Sequence, residues 1–296
     1  MRTYSFVTVD VFTDRRFGGN PLAVFPDASG LSDAEMQSLA AEFNLSETTF
    51  VLPPREPAHT ARVRIFNRTA EMPFAGHPNV GTGYVLAAQG RDTDGVLLFE
   101  ELAGLVEVRL ERDGAGAASG ATIAAPQPLS LGIELPVEAI AGCAGIDPAD
   151  VVVSAHRPTV ASVGVHFVLV EVTGAALTRA APDLARFREV EAAHPALERR
   201  LSLHLYARDS GARIRARMFA PLSGTYEDPA TGSANAALAA FLLSLTGEAS
   251  GRYEVAQGVE MGRPSLLLLG ARRSGDGIRA TVGGGCIQVL RGEATV

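Results

Sequence analysis

The chain reads as an α/β protein of α+β type, built from two similar domains, each a curved mixed β-sheet or barrel wrapped around one central helix. Three observations lead there. A glycine-bearing helix start occurs twice, as Pro73-Phe74-Ala75-Gly76-His77-Pro78-Asn79 and as Pro229-Ala230-Thr231-Gly232-Ser233-Ala234-Asn235, both fitting P-x-x-G-[H/S]-x-N. The stretch before it is doubled too: Arg62-Val63-Arg64-Ile65-Phe66 matches Arg215-Ala216-Arg217-Met218-Phe219. The offset is 153 residues from Arg62 to Arg215 and 156 from Pro73 to Pro229, so the second copy carries a three-residue insertion. Finally, each start runs into a segment apolar nearly all round, Val80–Ala88 and Ala236–Leu245, and a helix of that kind belongs inside a structure.

Tyr4–Phe12 alternates and is β-rich, Thr13–Asn20 is a polar glycine-containing loop, and Pro21–Phe25 resumes a strand. Ser32-Asp33-Ala34-Glu35 is a capping box opening a helix with Met36, Leu39, Ala40 and Phe43 on one face, which stops near Asn44. Thr48–Leu52 is a short buried strand with Glu47 at its entrance, and Arg62–Phe66 is another. Leu97–Leu110 forms a hairpin around Glu101–Gly104. Asp113–Gly120 is the most linker-like segment, and Ala121–Ala124 can resume a strand. The reading therefore divides the chain into domains 1–118 and 119–296. In the second, a helix is expected over Pro136–Cys143, strands at Val151–Ser154 and Val165–Val172, a helix over Asp183–His194 and a strand at Ile214–Ala220. Gly283-Gly284-Gly285 reads as a bend before a last strand, and residues 283–296 are free to return to the first domain.

At 296 residues and 47% hydrophobic content, two packed cores are affordable and extensive disorder is not expected. No apolar run reaches membrane-spanning length and no basic-then-apolar leader opens the sequence, so a cytoplasmic location is expected. A net charge of −7 with scattered arginines argues against nucleic acid as a partner. Cys143 and Cys286 lack metal-type spacing and read as free core thiols. All 26 basic residues in the Lys+Arg count are arginine. With no lysine, a pyridoxal phosphate Schiff base and a Walker-type phosphate loop are both excluded. No H-E-x-x-H or Cys/His cluster suggests a catalytic metal. The chemistry is expected to be cofactor-free, run on carboxylates, histidines, hydroxyls and backbone amides. Two helix starts suit an anion, because each offers unpaired N–H groups and a positive dipole end.

Four segments, Gly19-Asn20-Pro21, Ser46-Glu47-Thr48-Thr49-Phe50-Val51, Pro73-Phe74-Ala75-Gly76-His77-Pro78 and Glu227-Asp228-Pro229-Ala230-Thr231-Gly232-Ser233-Ala234, resemble motifs of the PhzF-like isomerases of phenazine biosynthesis. The last is long and specific, and the likeness runs from the first strand to Gly258. It implies the diaminopimelate-epimerase-like fold, a homodimer, and an isomerase acting on a small carboxylate, as in trans-2,3-dihydro-3-hydroxyanthranilate isomerisation.

Glu47, by itself, reads as an exposed loop glutamate more readily than a buried one; burial at the strand entrance would raise its pKa. The resemblance implies that it is the general acid/base. Asp228, just before Pro229, could cap the helix that follows; the resemblance implies that it orients a substrate amine or hydroxyl. His77 is either a helix-start residue bonding a nearby carbonyl or a substrate contact, and the resemblance draws it into the proton relay. Ser233 alone reads as an N-cap, whereas in the family it lies in the substrate cleft. The Gly76–His77 and Gly232–Ser233 amides are expected to hold the substrate carboxylate. Asn20 reads as a turn residue, although G-N-P recurs near the site in the family. Epimerases of this fold place a cysteine in each helix start, where this chain has Ala75 and Thr231. One-base isomerisation through Glu47 therefore fits better than two-thiol inversion; epimerisation with His77 as a second base, or a non-catalytic carboxylate binder, are the alternatives.

Overall fold

A computed structural model describes residues 1–197, 201–209 and 211–296. The chain separates into two compact units, Met1–Pro126 with Val282–Val296, and Gln127–Thr281.

In the first unit the elements are β1 (Thr3–Val11), β2 (Asn20–Phe25), α1 (Asp33–Phe43), β3 (Glu47–Leu52), β4 (Ala61–Phe66), β5 (Glu71–Met72), α2 (Gly76–Ala88), β6 (Val96–Glu101), β7 (Gly104–Arg112) and β8 (Ala118–Ala124). Pairing runs β1 to β2, β2 to β3, β3 to β4, β4 to β6, β6 to β7 and β7 to β8. The final strand, Gly277–Thr295, pairs with both β8 and β1 and so closes an eight-stranded barrel. Closure leaves no open edge for another chain to pair with. Two steps are parallel, β2–β3 and β4–β6, because each is crossed over by a helix, α1 and α2.

The helix α1 begins at the expected capping box: Ser32 accepts from Glu35 N–H while Glu35 accepts from Ser32 N–H. It ends on Asn44 in the left-handed conformation. Met36, Leu39 and Ala40 pack with Phe25, Phe50 and Phe66, and the Phe25 and Phe50 rings stack at 4.9 Å. The other helix, α2, packs against β1, β2, β3, β7 and β8. It can enter because two positions have no side chain: a Cβ on Gly81 would lie 2.7 Å from Leu22 Cδ2, and one on Gly83 2.6 Å from Val108 Cγ1.

The second unit repeats the plan with β9 (Ser130–Glu134), α3 (Val137–Ala144), β10 (Thr159–Ser162), β11 (His166–Glu171), α4 (Gly174–Arg179), α5 (Leu184–Ala193), β12 (Leu203–Arg208), β13 (Arg213–Ala220), β14 (Thr225–Asp228), α6 (Gly232–Ser244), β15 (Ser250–Gln257), β16 (Ser265–Ser274) and the start of β17, the final strand. Its parallel steps, β11–β12 and β13–β15, again flank helical crossovers. α6 packs against β10, β11, β15 and β16, and eleven of its thirteen residues are buried.

Three sequence expectations need correction. Residues 283–285 are not a bend: β17 runs unbroken through them. Glycine is required there for close approach, since a Cβ on Gly283 would meet Thr122 Oγ1 at 2.0 Å, and one on Gly120 would meet Gly284 O at 2.3 Å. Residues 113–120 are not a linker: 113–117 make the tight turn of the β7–β8 hairpin, where Asp113 accepts from the Ala115 and Ala117 N–H groups, and 118–120 already belong to β8. Val151–Ser154 forms one isolated bridge, Val151 to Val172, instead of a strand. A short helical turn at Pro148–Asp150 leads into it, so its β-branched run has no length over which to pair.

Candidate active site

Glu47 is the first residue of β3 and pairs in register with Leu22 of β2. It is a strand residue, not part of an exposed loop, with 16% of its side chain accessible. Asn20, the first residue of β2, is fully buried and lies opposite Val11, so it is no surface turn residue. Ser46 Oγ donates to Asn20 Oδ1 at 3.4 Å, which fastens the chain just ahead of Glu47.

His77 is the second residue of α2, and its Nε2 lies 3.4 Å from Glu47 Oε2. The ring is 5% exposed, and burial pushes its pKa down to about 3. His77 is therefore neutral at physiological pH, and the pair is a carboxyl group beside an uncharged imidazole, not an ion pair. The two atoms also miss hydrogen-bond geometry, leaving Nε2 without a partner. Ala75 is the N-cap of this helix and supplies no side-chain cap. Pro78 then removes one N–H from the first turn, so the Gly76 and His77 amides are what this terminus offers an anion.

The second helix start is built alike. Thr231, not Ser233, is the N-cap of α6, again without a side-chain cap to the helix amides; Ser233 is the second residue, matching His77. The Thr231 hydroxyl donates instead to Asp228 Oδ2 at 2.5 Å. Asp228 ends β14, is 6% exposed, and pairs with Met218 of β13.

Each start is braced by a duplicated frame. In the first unit Arg64 of β4 forks onto Glu71 of β5, with Nε–Oε1 2.7 Å and Nη2–Oε2 2.6 Å. In the second, Arg217 of β13 forks onto Glu227 of β14 at 2.8 Å for both bonds. These bidentate pairs fix the short strand ahead of each helix. Behind the α6 start, Gln257 of β15 donates through Nε2 to Asp228 O (2.8 Å) and Thr231 Oγ1 (3.1 Å). Its Oε1 accepts from Asn235 Nδ2 (2.7 Å) and Thr231 N–H (3.3 Å).

Glu47, His77, Gly76 and Asn20 thus come together in the first unit, and Asp228, Gly232 and Ser233 in the second. Sequence reading took Thr231 only as the counterpart of an epimerase cysteine, not as the N-cap bonded to Asp228, and missed Gln257. Extending the 156-residue offset past the glycine motif would have paired Gln257 with Glu101 and drawn attention to both. Cys143 and Cys286 are buried free thiols. Burial raises both pKa values, Cys143 to about 12, so neither is a nucleophile. Among the described residues no group of three metal-binding side chains forms, and no helix is long and apolar enough to cross a membrane.

The family profile of the phenazine biosynthesis-like proteins, PhzC-PhzF, matches residues 9–292. The trans-2,3-dihydro-3-hydroxyanthranilate isomerase of Pseudomonas chlororaphis is 36% identical over 293 residues, covering 98% of each chain. A PhzF-family phenazine biosynthesis protein from Bacillus anthracis superposes with a TM-score of 0.88 over all of both chains at 24% identity. A hydroxyproline epimerase from Agrobacterium vitis shares the fold, with a TM-score of 0.62 over 99% of this chain and 92% of its own at 14% identity.

Proposed function

The chain belongs to the PhzF-like family of phenazine biosynthesis-like isomerases, and from that premise we propose that it moves a proton between two carbons of a small, unsaturated, cyclic amino-carboxylate, using Glu47 as its single acid/base and no cofactor. The observation that carries this reading is the Glu47–His77 contact of 3.4 Å at an uncapped helix start. The Glu47 carboxylate takes a proton from one carbon, leaving a conjugated enol or enamine, and the same carboxyl group delivers a proton to the second carbon. The enzyme ends in the state in which it began. Neutral His77 accepts or donates one hydrogen bond as that proton changes hands. The Gly76–His77 amides are suited to the substrate carboxylate and the charge that spreads onto it, and the Gly232–Ser233 amides offer the same kind of donor pair in the second unit. Asp228 orients the amine or hydroxyl, and Asn20 keeps the Glu47 segment in place.

A second base is not needed. Ala75 and Thr231 stand where two-thiol epimerases carry cysteine, and His77 lies against Glu47 itself, at 3.4 Å. We place the enzyme in the cytoplasm as a homodimer, the latter checked by light scattering.

Deuterium incorporation from heavy water into a panel of cyclic unsaturated amino-carboxylates tests the mechanism, starting with trans-2,3-dihydro-3-hydroxyanthranilate. Wild type is expected to exchange or isomerise a member of the panel. Glu47→Gln is expected to lose about 100-fold or more while keeping ligand affinity. Near-normal turnover by Glu47→Gln would overturn the assignment, and inversion at a single carbon would mark an epimerase.

A further inference from the structure

The two units carry the same strand register around their helix starts. Arg62 of β4 lies opposite Glu100 of β6, and Arg215 of β13 opposite Ala256 of β15. The next residues, Glu101 and Gln257, are therefore counterparts. So are Asn79 and Asn235, whose Nδ2 atoms bond to Ala75 O and Thr231 O at 3.1 and 3.0 Å. Strand pairing adds a third match, Met72 opposite Ile65 where Asp228 lies opposite Met218.

In the second unit Gln257 works as a clamp, donating through its amide nitrogen and accepting through its amide oxygen. The first unit has the same place filled by a carboxyl group. Both Glu101 oxygens are buried and neither finds a hydrogen-bond donor in good geometry; Asn79 Oδ1 is likewise unpartnered. An ionised Glu101 has no donor to offer and cannot reproduce the Gln257 clamp. A protonated one has one O–H, enough for the counterpart of the Gln257 bond to Asp228 O, and an acceptor oxygen; the second Gln257 donation, to the Thr231 hydroxyl, has no counterpart where Ala75 stands.

We propose that Glu101 is a positioning residue that acts as a neutral carboxylic acid, clamping the segment from Met72 to Ala75 so that the Gly76 and His77 amides and the His77 ring are held for the substrate. Its O–H donates to Met72 O, the counterpart of Asp228 O, and its carbonyl oxygen accepts from Ala75 N–H and the Asn79 amide. The effect on catalysis rests on the function proposed above; the protonation does not.

The charges around Glu101 permit this. Burial raises its pKa to about 8, the adjoining Asn79 amide pulling the other way. Glu101 borders a cavity of about 260 Å³ that is also lined by Asp33, Arg55, Arg62, Arg64, Glu71 and Glu100. Arg64 is committed to Glu71 and Asp33. Glu100 adds a negative charge, held by the Arg55 and Glu56 N–H groups and His59 Nδ1. Arg55 and Arg62 are the remaining cations on this lining, and the Arg62 Nε is buried without a hydrogen-bond partner. From α2, buried His77 contributes no charge.

Two measurements that need no substrate test the protonation. Carbon-13 titration of the glutamate carboxyls, with Glu101→Gln for assignment, is expected to show one resonance with a midpoint near 8; a midpoint near 4.5 overturns the proposal. Thermal melting gives the second. A raised folded-state pKa means the folded chain binds more protons than the unfolded one between about pH 4.5 and 8, so wild-type stability drains away as pH rises through that window. Glu101→Gln is expected to match wild type near pH 4.5 and to melt several degrees higher at pH 8; a difference that stays constant with pH overturns it. In the exchange assay, Glu101→Ala is expected to lose tenfold or more and Glu101→Gln to restore the rate. Equal loss in both, with the fold intact, would show that the carboxylate itself is needed.

Discussion

His77 sits where a charged imidazole would be costly, and that cost can be measured. Its pKa falls to about 3 on burial, so the unfolded chain binds a proton at that histidine between about pH 6.5 and 3 that the folded chain refuses. Stability contributed by the neutral ring is fully present above pH 6.5 and is lost on acidification. The loss is about 2 kcal/mol by pH 5, taking 1.4 kcal/mol per pH unit. His77→Gln should lack this acid slope, which melting curves of the two proteins between pH 5 and 8 would reveal; parallel curves would mean that the ring titrates normally. At this scale the sequence was informative wherever residue type and motif coincide. Glu47 and His77 stand in segments specific enough to name them, and the fold brings their side chains to within 3.4 Å. Glu101 was legible only as a hairpin residue, because its role depends on a strand register that no local pattern encodes. Asn20 and Ser233 show the same limit. Each belongs to a residue type at home in turns and caps, yet one opens a buried strand and the other lies inside a helix.

Between single residues and whole units stand the arginine forks that brace the two helix starts, and they are not equally supported. Arg217 is 8% exposed in its side chain; among the described residues its hydrogen bonds go to Glu227 and to the backbone carbonyls of Leu177, Thr178 and Ala180, with Glu260 acting on it through space. Arg64 has a second carboxylate, Asp33, on its other nitrogen. Removing the anion from a buried pair leaves an uncompensated charge at about 3 kcal/mol or more. Glu227→Ala is therefore expected to cost about 3 kcal/mol in denaturant unfolding and Glu71→Ala about half as much. Equal losses would mean that Asp33 does not share the charge. Most elements follow directly from hydrophobic period and caps, as with α1 between Ser32 and Asn44. The misread ones share a cause: glycine runs and short β-branched runs take their meaning from what lies across the sheet. Gly283 looks like a hinge until Thr122 is placed opposite, and Val151–Val153 looks like a strand until its partners are counted.

Taken as a whole, the molecule joins its sequence extremes. Thr3 pairs with Thr295 and Val11 with Cys286, so the first strand and the last are neighbours in one barrel. A chain ending at Thr281 keeps all of the second unit and removes the closing strand from the first. Hydrogen exchange on that truncation should find the backbone of 127–281 protected and that of 1–126 open; protection across 1–126 would show that the barrel stands without its last stave. Pairings of such separation are slow to form, because the intervening chain must be gathered first. The order of synthesis sharpens the point. β1 and its neighbour β2 leave the ribosome early, yet the partner of Val11 on the other side is Cys286, far along the chain. The second unit is therefore fully synthesised before the barrel of the first can close. For that interval β1 is paired on one side only, with β2, and the burden of keeping its other edge from the wrong partner in a crowded cell falls on chaperones.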